Sequence, residues 1–178
     1  MSKPQSENVL PRQVDPRKFA QQGVELKGTV AISALKRLSE ALASTDGEVV
    51  LELSFGINEE HKRILTGTAQ ATVEVICQRC LDITPLTLEG NLSLAMVWSE
   101  EQAENLPKHL DPWIIGEGAA DLYDIIEEEL LLNLPMVSYH KEACVDKANF
   151  SSGEAVEEEV ESVPNPFSVL EQLKGSPK

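Results

Sequence analysis

The residues best equipped for chemistry are three cysteines and a histidine: the run Cys77-Gln78-Arg79-Cys80, and His140 with Cys144 in an H-x3-C spacing. Two thiolates at the first spacing, placed on a turn, can reach one metal ion while nearby backbone amides offset their charge. Zinc takes four ligands in a tetrahedron, and His140 and Cys144, just past a helix stop at Pro135, are the candidates for the other two corners. Two other readings stay open. The four residues need not converge, since spacing fixes no geometry. Alternatively the pair is a thiol redox centre, although redox pairs generally sit where a strand feeds a helix, and here a Thr- and Leu-rich strand follows.

Other catalytic arrangements have less behind them. His61, His109 and His140 lie in charged, loop-like contexts with no nucleophile motif, no Gly-rich phosphate loop is present, and nothing singles out an acid/base pair among the carboxylates. No catalytic residue is assigned, and the expected activity is binding rather than turnover. The second candidate site is Asn165-Pro166-Phe167 with Leu170 and Leu173. Asn165 suits a helix N-cap, Pro166 the first helical position, and the apolar residues lie close to one face. So short a helix must bury that face, either on its own domain or in a groove on a partner. Arg79, on an exposed turn, is a further partner-contact candidate.

These residues need elements to position them. Residues 24–31 read as a strand, and Ile32, Leu35, Leu38 and Leu42 recur at helical spacing. A Ser44-Thr45-Asp46-Gly47 turn leads to a second strand over 48–55, and 58–62 makes a hairpin loop. Two long strands follow, 64–76 and 84–98, with the cysteine pair at their hairpin end and Gly67 and Gly90 marking bulges or bends. A helical turn over 99–105 and a short strand over 113–115 come next. A helix then starts near Asp121, buries Leu122, Ile125, Ile126 and Leu130, presents Glu127, Glu128 and Glu129 to water, and stops before Pro135. Residues 151–161 are too rich in Ser, Gly and Glu to build a core. The expected fold is α+β: an antiparallel sheet packed with two main helices, ending in an acidic linker and a short C-terminal helix. The expected divisions are an arm over 1–23, a domain over 24–150, a linker over 151–163 and a docking helix over 164–178.

Composition bounds what this domain can do. Its 178 residues carry 30 Asp and Glu against 15 Lys and Arg, a formal charge of −15 that repels phosphate backbones and disfavours extended RNA or DNA contact. The same field attracts a basic protein, although solubility alone also explains it. Only 4% of residues are aromatic, too few for a base-stacking platform. An odd number of cysteines and a polar segment over 1–11 without an apolar run suggest reduced thiols in a cytoplasmic protein. No apolar run approaches the ~20 residues of a membrane helix.

With the Cys77–Cys80 hairpin, the segment Glu-Glu-Glu-Leu-Leu-Leu-Asn-Leu-Pro-Met over 127–136 and the ending Asn165-Pro166-Phe167 with Leu170 and Leu173 in place, the chain resembles the YceD family of bacterial and plastid proteins. The order and spacing of these motifs carry the resemblance, which spans most of the chain and is closest to proteobacterial members. It implies a role in accumulation of the large-subunit (23S) ribosomal RNA, through synthesis, processing or stability. Genes of the family commonly lie beside one for a small basic large-subunit protein. Some relatives carry a second cysteine pair after the Leu-Pro segment, where this sequence has His140 and Cys144. Together these imply a non-catalytic factor that holds a basic ribosomal protein or large-subunit assembly factor, with structural zinc as the one candidate cofactor. The alternatives are a zinc-stabilised adaptor outside ribosome assembly and a Cys-x-x-Cys redox protein.

Overall fold

Across 49–55 the odd-numbered residues are buried and their even-numbered neighbours face water, the period of a strand with one wet side. The computed structural model describes residues 8–116 and 118–146. The elements run β1 (Gln13–Val14), α1 (Pro16–Gln22), β2 (Glu25–Ala31), a 3-10 turn (Ile32–Ala34), α2 (Lys36–Ala41), β3 (Glu48–Ile57), β4 (Arg63–Ile76), β5 (Ile83–Val97), α3 (Glu100–Glu104), β6 (Asp111–Ile114), β7 (Ala120–Asp121) and α4 (Leu122–Leu132). The chain divides into two units after Cys144. Of the second unit only Val145 and Asp146 are described, so the expected linker (151–163) and docking helix (164–178) lie outside the described residues.

β2, β3, β4, β5 and β6 form one sheet in that order, and β1 pairs with β7 in a two-stranded ribbon. The first four strands are antiparallel, as alternating patterns joined by short turns require. β6 departs from the expected antiparallel sheet: Leu94–Val97 pair with it in parallel, because the chain crosses back through α3 before laying it down. The fold remains α+β.

One face of the sheet is covered. Leu51, Phe55, Leu65 and Leu88 from the strands join Leu38 and the Leu122, Ile126 and Leu130 stripe of α4 in one core. Each such side chain contributes roughly 1.5–3 kcal/mol of burial. Residues 15–23, expected within an arm, build α1 and seat Phe19 edge-on against Phe55 at 5.3 Å. The Asp15 carboxylate accepts the Lys18 N–H at 3.1 Å, Pro16 occupies the first turn, and Gly23 ends the helix at φ 65°. The helix expected from Ile32 is broken at Leu35, whose φ of −100° and ψ of 89° separate the 3-10 turn from α2.

Two further expectations are corrected. The β4–β5 pairing runs in continuous register from Ile64↔Ala95 to Ile76↔Ile83, with no bulge at Gly67 or Gly90. These glycines make room instead. A Cβ at Gly67 would collide with the Glu52 carbonyl oxygen, and one at Gly90 would lie 2.6 Å from Glu129 Cγ. The run Glu127, Glu128 and Glu129 is not a uniformly solvated face: Glu127 is buried, and its Oε1 accepts the Leu38 N–H at 3.1 Å. α2 has no side-chain cap of its own, so a carboxylate from α4 satisfies one of its orphan donors. No described helix is long and apolar enough to cross a membrane.

Candidate metal centre

The long β4–β5 hairpin carries its tip, residues 77–82, beyond the last paired residues Ile76 and Ile83. Cys77 N–H donates to the Asp82 carbonyl and Leu81 N–H to the Cys77 carbonyl, both at 2.9 Å, closing a tight loop. Leu81 takes the left-handed conformation, φ 65°, that such a tight turn demands. Both thiols are thereby turned to one side, between two strands rather than at the start of a helix where redox pairs gain their activation.

Pro135 ends the helical stretch, and the following segment runs back along the hairpin tip. Gln78 N–H donates to the Ser138 carbonyl at 2.9 Å. Arg79 Nη2 donates to the carbonyls of His140, at 2.6 Å, and Glu142, at 3.0 Å, and its guanidinium lies 5.0 Å from the Tyr139 ring centre. Arg79 therefore folds inward as a brace rather than projecting from the turn. These contacts bring His140 and Cys144 to the cysteine pair.

The four ligand atoms, from Cys77, Cys80, His140 and Cys144, all lie within 4.8 Å of one another. Cys77 Sγ is 3.7 Å from Cys144 Sγ, and Cys80 Sγ is 3.4 Å from His140 Nδ1. Tetrahedral zinc with its usual Zn–S and Zn–N bond lengths has edges of roughly 3.5–3.8 Å, so the two shortest separations are close to that spacing and the widest would close by about 1 Å around the ion. All three cysteines are free thiols. His140 Nε2 lies 3.3 Å from the Ile83 carbonyl, which can only accept; that contact places the proton on Nε2 and leaves Nδ1 as the ligand atom.

The electrostatics suit a thiolate site. Burial pushes the Cys77 thiol up, but the backbone amides of Cys80, Arg79 and His140, with the Cys80 side chain, outweigh it and lower the pKa to about 5. At Cys80 the Asp82 amide acts to lower the value, while burial and the neighbouring Cys77 and Cys144 sulfurs together raise it to about 11. One sulfur is thus poised as an anion, and a second keeps its proton until a cation displaces it.

Sequence spacing pointed to the four metal-type residues but not to the supports that orient them: Asp82, Ser138, Ile83 and Tyr139 offer backbone groups or a ring face, which carry no sequence signature. The other proposed contact residues, Asn165, Pro166, Phe167, Leu170 and Leu173, lie outside the described residues.

Comparison with known proteins gives a family match and similarity to curated relatives. Residues 65–174 match the family described as large ribosomal RNA subunit accumulation protein YceD. The large ribosomal RNA subunit accumulation protein YceD of Haemophilus influenzae is 35% identical over 167 residues, which cover 93% of this chain and 96% of that protein. No solved structure matches.

Proposed function

The chain belongs to the YceD family, and from that premise we propose that it is a non-catalytic accessory factor in the accumulation of the large-subunit (23S) ribosomal RNA, acting through a basic protein partner. The similarity to the Haemophilus protein over almost the whole of both chains carries the ribosomal part of this reading. The family is named for an accumulated RNA and not for a reaction, which favours a binding role over a catalytic one.

The partner follows from charge. At −15 the molecule repels RNA over its average surface and draws in a basic ribosomal protein or assembly factor, so its influence on RNA runs through that protein. Residues 165–173 and the acidic stretch before them are the proposed contact segment. Zinc at Cys77, Cys80, His140 and Cys144 is a structural ion in this scheme: all four corners are filled by protein, leaving none for a reacting water. It would clamp the segment after α4 to the hairpin tip.

The test is retention by the immobilised full chain at low and high salt, offering purified 23S RNA and, separately, RNA-free large-subunit proteins. The reading expects a basic protein to be retained, with binding falling as salt rises. Retention of the RNA with no protein retained contradicts it.

A further inference from the structure

β5 is fifteen residues long, but its outer side is partnered over only Leu94–Val97, where β6 pairs with it. Along 84–92 no backbone group of the described residues hydrogen-bonds to that outer side. Among the described residues this leaves a strand edge about 30 Å long without a pairing strand. Soluble proteins usually blunt such an edge with lysine, proline, a bulge or a covering element. Here β5 contains no Lys or Arg, its register with β4 has no bulge, and Pro85 is the one guarding residue, near one end.

The surroundings specify what fits. The wet face bordering the edge carries Glu74 and Glu89, both exposed, and neither β5 nor β4 beyond Arg63 contributes a cation. Beside the start of the edge, a cleft of about 570 Å³ lies between 84–87 and 139–142, with Leu86 and Tyr139 offering apolar walls and Glu142 and Lys141 at its side. The wall bearing Tyr139 belongs to the segment that His140 and Cys144 would tie to the hairpin.

We propose that the free edge of β5 over 84–92 receives an extended, basic segment of a protein partner as an added strand. Main-chain hydrogen bonds supply the pairing, Glu74 and Glu89 select for Lys or Arg on the wet side, and the Leu86–Tyr139 cleft takes one apolar side chain. A second copy of this chain fits less well, since it brings the same acidic strand to the same edge. The inference rests on the protein-partner reading above and gives that partner a second contact, on the sheet, in addition to the segment over 165–173.

Hydrogen exchange of the full chain, alone and with the RNA-free protein mixture of a purified large subunit as probe, tests it. The expected result is that amides of 84–92 exchange at least about tenfold more slowly in the mixture. Replacing the exposed carboxylates, Glu74→Lys with Glu89→Lys, is expected to remove most of that protection while exchange in the buried strand over 49–55 stays unchanged. Retained protein that protects some other surface and leaves 84–92 unaltered overturns the docking site but not the partner reading. Full protection in the doubly reversed variant overturns the basic character of the segment. If no protein binds at all, the partner reading falls and this inference falls with it.

Discussion

Against burial, backbone amides pull the Cys77 thiol down to about 5, while against the Asp82 amide burial and the neighbouring sulfurs push Cys80 up to about 11, so zinc entering the site is expected to displace at least one proton from the pair. Zinc binding is therefore expected to release protons at pH 7 and to weaken as pH falls, because protons compete for the same sulfurs. Calorimetry in buffers of differing ionisation enthalpy measures both effects. The purified chain is expected to carry one zinc, and Cys144→Ser to lose most of it by elemental analysis. A full metal complement in that variant would show that Cys144 is not a ligand. Legibility at this scale was uneven. The ligand types and their spacing were visible in the sequence, because thiols and imidazole advertise their chemistry. The inward turn of Arg79 was not, because its partners are backbone carbonyls that any residue supplies.

At the scale of elements, α2 and α4 are joined by one carboxylate. Glu127→Ala removes the acceptor of the Leu38 amide in a buried setting and is expected to cost about 2 kcal/mol, which for a chain of this size lowers Tm by roughly 4–8 °C. Glu128→Ala, at an exposed neighbour, is expected to stay within about 0.5 kcal/mol. Equal losses in thermal melts would contradict the capping role. Gly67→Ala is expected to destabilise by about 1–3 kcal/mol through its clash with the β3 backbone, whereas Gly56→Ala meets no neighbour and leaves stability nearly unchanged. Denaturant titration of the two proteins separates these outcomes. The strands were legible because alternation over 49–55 and 65–75 follows directly from one wet face. The buried Glu127 was hidden, since a run of three glutamates looks solvated whichever one turns inward. α1 was hidden differently: Asp15, Pro16 and Gly23 are ordinary cap residues, but its single aromatic, Phe19, in a polar stretch gave no periodic stripe. Parallel β6 needed a crossover whose direction four residues cannot announce.

At the scale of the whole described domain, a sheet closed on one face by helices leaves most of the other face open, apart from its end at Ala95 and Val97, and on that face charge is mainly negative: Glu25, Glu48, Glu52, Glu74 and Glu89 against Lys27, itself paired with Glu52 at 3.1 Å. Association with a basic protein is therefore expected to slow markedly between low and physiological salt, with a smaller change in the dissociation rate. Surface-binding kinetics with RNA-free large-subunit proteins at two ionic strengths check this. Net charge was readable from composition, but its placement on one open sheet face required the register. The most direct measurement is of 23S RNA and subunit profiles in cells lacking the gene, complemented at matched protein levels by the wild type or by Phe167→Ala with Leu170→Ala. The account predicts that large-subunit RNA falls relative to small-subunit RNA, that the wild type restores it, and that the double variant does not. Profiles unchanged by loss of the gene would contradict the role in ribosomal RNA accumulation.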